Sequence, residues 1–209
     1  MPRGADQIAV ERFNTGQWTP PPHGVAERRM LAVDPGDVHV GVAEFTKYPS
    51  EPWRVTWAGE MTPDLFLDYL AEDISKPRWD LLVVEEWRLF PGHAPRAVGS
   101  DMPTARLIGS IQALVRYASL LNLYYPIADF EVDLLFQSPQ IKVPTRSLLK
   151  RRKLKSVAKL LGVTGDHATD AELHGYHYLV RTDQPVWNSK QQEEMYYDNP
   201  RLTHRHSVW

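Results

Sequence analysis

The chain alternates between two hydrophobic rhythms. Met30 to Val33 is a short unbroken apolar run that stops at the turn signal Asp34-Pro35-Gly36. Val38 to Phe45 resumes the strand pattern close enough to form a hairpin with it, and Trp53 to Gly59 alternates like a third strand. Thr62-Pro63-Asp64 reads as a helix start, with Leu65, Phe66, Tyr69 and Leu70 as its buried stripe. Leu81 to Val84 is continuously apolar, as a strand covered on both faces requires, and it ends in Glu85-Glu86-Trp87. From Asp101-Met102-Pro103 the period becomes helical and holds through Leu107, Ile108, Ile111, Leu114, Val115, Ala118 and Leu121. Phe130 to Phe136 predicts a fifth strand, and Thr145 to Leu161 and His167 to Val180 predict two further helices.

The order three strands, helix, strand, helix, strand, helix, helix predicts an α/β fold. Its mixed five-stranded sheet would combine antiparallel hairpin strands with parallel strands, flanked by helices. At 209 residues the chain suits one domain, expected over residues 29–182. Residues 1–28, rich in Gly, Pro and charge, predict a flexible N-terminal arm. Residues 183–209 predict a C-terminal tail, either free or with its Trp and Tyr packed on the body or a second subunit.

Composition narrows the chemistry. Cysteine is absent, which excludes disulfides, thiolate zinc sites and a cysteine nucleophile. The N-terminus lacks a signal-like apolar run and no stretch of about 18 apolar residues occurs, so a cytoplasmic, soluble protein is expected. No Walker A, GxSxG or GxGxxG sequence is present, so a nucleotide cofactor, an ATPase and a serine hydrolase have no support.

Carboxylates remain. Asp34 closes the first strand and Glu85 the fourth; if those strands are neighbours, both side chains emerge at one edge of the sheet. A lone carboxylate at the end of a buried strand costs desolvation free energy, and two converging ones repel; a divalent cation relieves both. Each acid alone also reads as an ordinary turn residue. Farther along lies Gly165-Asp166-His167-Ala168-Thr169-Asp170-Ala171-Glu172, where Asp166 is placed to cap a helix. His167 and Asp170 share one face of that helix, which His174 and His177 roughly continue. Such oxygen-rich sites suit Mg2+ or Mn2+, and two ions about 4 Å apart can hold and hydrolyse a phosphodiester.

Taken as a whole, the net charge of −2 argues against a nucleic-acid partner, but it is a cancellation. Between Leu134 and Gly165 lie Lys142, Arg146, Lys150, Arg151, Arg152, Lys153, Lys155 and Lys159 with no acid, so the remainder carries −10. This +8 segment immediately precedes the His167/Asp170 motif, where it would flank the carboxylates and bind a phosphate backbone.

Together these segments resemble the RuvC-type Holliday junction resolvases of the RNase H-like superfamily, particularly their shorter bacteriophage forms. The resemblance covers about residues 30–182. It rests on LAVDPGDVHVGVAEF, LVVEEWRLFPG, FQSPQIK and HATDAELHGYHYL, with Gly41 five residues after the Asp-Pro-Gly turn. It implies that Asp34, Glu85, His167 and Asp170 are metal ligands, and that Lys142 lies near the scissile phosphate. It also implies a homodimer acting on branched or four-way DNA with two Mg2+ or Mn2+ ions per site. Other functions compatible with the same fold are a nuclease on RNA–DNA hybrid, flap or packaging DNA, and a non-catalytic junction-binding module. Three acids depart from the pattern or compete with it. Glu86 adjoins Glu85, and only one can face the site; Asp166 could replace His167; Glu172 stands where an apolar residue is usual, as an acid behind the site or an exposed one.

Overall fold

The computed structural model of the chain describes residues 28–74, 79–87, 102–124, 132–187, 190–191 and 194. Five strands, β1 (Arg28–Pro35), β2 (Val40–Lys47), β3 (Arg54–Met61), β4 (Leu81–Glu85) and β5 (Asp133–Gln137), form one sheet in the order β3-β2-β1-β4-β5. The first three strands pair antiparallel, whereas β4 runs parallel to both β1 and β5. This is the mixed sheet expected from the sequence. Among the described residues five α-helices accompany it: α1 (Pro63–Ile74), α2 (Pro103–Tyr124), α3 (Lys142–Arg151), α4 (Val157–Leu160) and α5 (Asp166–Arg181).

Side-chain alternation along the strands creates two cores. Leu31, Val33, Leu82 and Val84 pack with Phe66 and Tyr69 of α1 and with Leu107, Ile111 and Val115 of α2. Met30, Ala32, Phe45, Leu81 and Val83 pack on the other face with Ala168, Ala171, Tyr176 and Leu179 of α5. Burying a side chain such as Phe45 contributes roughly 1.5–3 kcal/mol, and its ring meets Tyr176 edge-on at 5.2 Å. The stripe expected on α2 is buried at Leu107, Ile111, Val115 and Ala118 and half-buried at Ile108 and Leu114. The side chain of Leu121 lies outside the described residues.

The single helix expected over Thr145 to Leu161 is instead two. Arg152 and Lys153 end α3, and Lys153 adopts a left-handed backbone (φ 55°). Leu154 N–H then donates back to Leu149 O at 2.9 Å, and Leu154 packs against the core. Four successive cations, Lys150 to Lys153, repel one another along a continuous helix, whereas Ser156 offers a new start by accepting from Lys159 N at 3.3 Å.

Residues 1–27 of the expected arm, and residues 188–189, 192–193 and 195–209 of the tail, lie outside the described residues, as do Phe130 and Glu131 of the expected fifth strand. The start of the tail packs on the body. Trp53 N donates to Pro185 O and Trp187 N to Trp53 O, each at 2.8 Å, while Arg54 lies between the rings of Tyr48 and Trp187. Among the described residues no helix is long and apolar enough to cross a membrane.

Candidate active site

β1 and β4 lie in parallel register, with Val33 opposite Val84, so Asp34 and Glu85 end neighbouring strands at one edge of the sheet. Alternation decides their direction. Asp34 follows the parity of Met30 and Ala32, and Glu85 that of Leu81 and Val83, so both face α5. Glu86 has the parity of Val84 and belongs to the opposite face.

Helix α5 reaches this edge because of a glycine. A Cβ on Gly41 would lie 2.0 Å from the carbonyl oxygen of His167 and 2.6 Å from Ala168 N. Only a residue without a side chain lets the first turn of α5 rest directly on β2. His167 then places Nδ1 2.5 Å from Asp34 Oδ2. Asp170, one turn on, faces the same cluster.

Lys142 occupies the centre. The 3-10 turn Pro139–Ile141 after β5 leads directly into α3, whose first residue is Lys142. Its Nζ lies 2.9 Å from Asp34 Oδ1, 2.6 Å from Glu85 Oε2 and 3.0 Å from Asp170 Oδ2. Burial alone would lower the ammonium's pKa, but Asp34 and Glu85 more than offset this and hold it above the usual lysine range. Burial pushes the Asp34 carboxyl above its ordinary value, partly countered by its hydrogen bond with His167. That same hydrogen bond raises the His167 imidazole, against the opposing effect of its partial burial.

One participant carried no prominent sequence signal. His174 is fully buried, with Nε2 2.7 Å from Glu85 Oε2 and Nδ1 3.1 Å from Gln137 Oε1. Burial, followed by the nearby Lys142 charge, lowers its pKa to about 4, so the ring is neutral near neutral pH. Potential ligand atoms of Asp34, Glu85 and His174 lie within 4.8 Å of one another. The helical spacing Asp170–His174 was the available signal, but it reads equally well as an ordinary helix face.

The donor set fits a hard divalent cation. Asp34, Glu85 and Asp170 already share one positive charge, and imidazoles flank them. Bound there, Mg2+ or Mn2+ would be held by Asp34, Glu85 and Asp170, with His167 or His174 adjacent.

The other two acids lie elsewhere. Asp166 is exposed and does not cap α5: the cap position is Gly165, and Glu60 of β3 accepts from Ala168 N at 3.2 Å. A Cβ on Gly165 would fall 2.0 Å from Glu60 Oε2, so the glycine makes room for that carboxylate. Glu172 is neither exposed nor beside the cluster. Fully buried, it accepts from Val157 N at 3.1 Å and from Ala158 N, capping α4.

Seven cations of the basic segment, Arg146, Lys150, Arg151, Arg152, Lys153, Lys155 and Lys159, are exposed on α3, α4 and the turn between them. Arg146 joins this surface to the cluster through Asp170, 2.9 Å away.

No protein-family model matches the chain, and no curated protein matches it in sequence. Among solved structures it is similar to Thermus thermophilus RuvC in complex with a Holliday junction substrate, at 12% identity and TM-score 0.46, over 77% of this chain and all of that one. The fowlpox virus Holliday junction resolvase is similar at 11% identity and TM-score 0.46, over 73% of this chain and 99% of the other. The yeast mitochondrial Holliday junction resolvase is similar at 13% identity and TM-score 0.46, over 74% and 80% respectively.

Proposed function

We propose that the chain is a metal-dependent endonuclease that hydrolyses phosphodiesters in branched DNA, with four-way junctions as its preferred substrate. The observation that carries this reading is the convergence of Asp34, Glu85 and Asp170 on a single cation, beside an exposed basic surface.

Asp34, Glu85, Asp170 and His167 form the proposed ligand set for two ions. When bound, Mg2+ or Mn2+ supplies an activated water and neutralises charge on the scissile phosphate. Asp34 and Glu85 approach from the rigid sheet edge, and Asp170 and His167 from α5, so the chain fixes the ligands before substrate arrives. His167, less buried than Asp34, is positioned to act as a ligand or to transfer a proton. Lys142, released from the carboxylates, would turn its ammonium to the transition-state phosphate. Arg146, Lys150, Arg151, Arg152, Lys153, Lys155 and Lys159 would hold the backbone of the junction arms. Paired cuts across a junction need two such sites, which a homodimer provides.

A cleavage panel tests this directly. Wild-type protein with Mg2+ or Mn2+ should cut a four-way junction in preference to flap, linear duplex and RNA–DNA hybrid. Asp34→Asn should lower that rate by about a thousandfold, the loss of several kcal/mol of charge stabilisation. Preference for another member of the panel would reassign the substrate. Junctions left intact by wild type and Asp34→Asn alike would favour a binding module and sink the nuclease reading.

A further inference from the structure

We propose that His174 supplies a nitrogen ligand to the ion held by Asp34 and Glu85, and that Gln137 orients the ring for it. That role presupposes the metal-dependent reading above and adds a residue and a metal preference to it.

The geometry starts from burial. His174 lies under the cluster with no exposed surface, and α5 fixes its direction toward the ends of β4 and β5. Gln137 is paired with Glu85 across β4 and β5, so the two residues that hold the ring come from adjacent strands in register. Both ring nitrogens are committed: Nδ1 to Gln137 Oε1 at 3.1 Å, Nε2 to Glu85 Oε2 at 2.7 Å.

Besides an imidazolium that donates from both nitrogens, which a divalent ion beside Glu85 would repel, a neutral imidazole with one N–H donor and one lone-pair acceptor allows two arrangements of this chain of contacts. In the first, the Gln137 amide nitrogen faces the ring and donates to Nδ1, while Nε2–H donates to Glu85. In the second, Gln137 presents Oε1, as in the structure; Nδ1–H donates to it, and Nε2 turns a lone pair toward the carboxylate. Two acceptors 2.7 Å apart repel unless a cation lies beside both. The second arrangement is therefore the one a divalent ion stabilises. It is also the usual environment of a metal-bound histidine, whose remote N–H is held by an oxygen acceptor. The Lys142 ammonium, 2.6 Å from the same Glu85 oxygen, marks this point as one that accepts positive charge.

A nitrogen ligand changes which ion is favoured. Carboxylate and water oxygens suit Mg2+, whereas imidazole suits first-row transition ions, so His174 biases the site toward Mn2+.

Pulsed electron paramagnetic resonance of Mn2+ bound to the full chain, without DNA, detects a coordinated nitrogen directly. Wild type should show a 14N coupling that becomes a 15N pattern after 15N-histidine labelling. The coupling should persist in His167→Ala and disappear when His174→Gln is added to that variant, and His174→Gln alone should lower Mn2+ affinity about tenfold or more and Mg2+ affinity less. His174→Gln preserves a polar side chain at the buried position. Gln137→Leu leaves the ring in place, and should weaken Mn2+ about tenfold while retaining the coupling. Absence of imidazole coupling in wild type, or a coupling that survives His174→Gln and disappears in His167→Ala, overturns the assignment. Junction cleavage by a wild type without that coupling would sink this inference alone. Coupling in a wild type that cuts no branched DNA would sink the nuclease reading and leave His174 as a ligand.

Discussion

Asp34 and Glu172 are both buried acids, yet different groups compensate them. Asp34, with Glu85 and Asp170, is balanced by the side-chain ammonium of Lys142. Glu172 is balanced by the fixed backbone N–H groups of Val157 and Ala158 at the start of α4. A metal can replace an ammonium at the end of a flexible side chain. It cannot replace two N–H groups of a helix end without unwinding it. The partner, more than burial itself, separates an acid available for chemistry from one that holds the fold together.

Removing Lys142 should give the largest break in this comparison. Lys142→Met leaves three carboxylates around an uncompensated centre, where like charges repel. Mn2+ measured without DNA should then bind at least about tenfold more tightly, a difference of about 1.4 kcal/mol. Junction cleavage should fall about a hundredfold if Lys142 is the donor for the transition-state phosphate, as proposed. Unchanged or weaker Mn2+ binding would show that Lys142 does not compete for the ion's position.

How much of this was legible beforehand follows from the same contrast. Asp34 and Glu85 stand out because apolar runs stop on them, and strand parity separates Glu85 from Glu86 once the sheet partners are known. The succession of the five strands, and the mix of antiparallel and parallel pairing, also followed from the alternation of apolar periods. Glu172 was not placed correctly, because its partners lie on α4, a helix the sequence pattern merged with α3. That merger has its own cause: the left-handed residue ending α3 is Lys153, and a lysine carries none of the usual signal that a glycine would. His174 was read only as continuing the His167/Asp170 face and was not assigned to the site, because its partners, Glu85 and Gln137, are distant in sequence. A buried histidine and an exposed one share the same helical spacing.

A second test turns to the structural acid. Glu172→Gln replaces a carboxyl group, protonated in the folded state at pH 5, whose two oxygens both accept N–H bonds, with an amide that has one oxygen and a donor facing the second N–H. At pH 5 this should cost about 1–3 kcal/mol of unfolding free energy, with cleavage per folded molecule unchanged. Burial, countered by those N–H groups, raises the folded carboxyl from 4.5 to about 7. The folded state therefore binds this proton more tightly than the unfolded state, and wild type loses stability from this group as pH rises from 4.5 to about 7. Glu172→Gln lacks that loss, so the stability gap between the proteins should narrow by pH 8. Denaturant unfolding at pH 5 and pH 8 measures both values; a gap that widens with pH would mean that the N–H groups favour the ionised form outright.

The smallest effects should come from the outer cations, and they sharpen the comparison by separating charge that touches the cluster from charge proposed to serve only DNA. Arg146 is exposed but pairs with Asp170 at 2.9 Å, whereas Lys150 lies one helical turn farther along α3, away from the cluster. Replacing either with Gln removes one proposed phosphate contact and should reduce the slope of log K against log salt by about 1. Only Arg146→Gln should also alter metal binding, because it removes a cation that competes for Asp170. Exposed ion pairs contribute roughly 0–1 kcal/mol, so the expected gain in Mn2+ affinity is less than about fivefold. Junction binding titrated at several salt concentrations, together with Mn2+ affinity measured without DNA, separates the two residues. A change in metal affinity with Lys150→Gln equal to that with Arg146→Gln would mean that long-range charge, and not the contact with Asp170, couples the basic surface to the site.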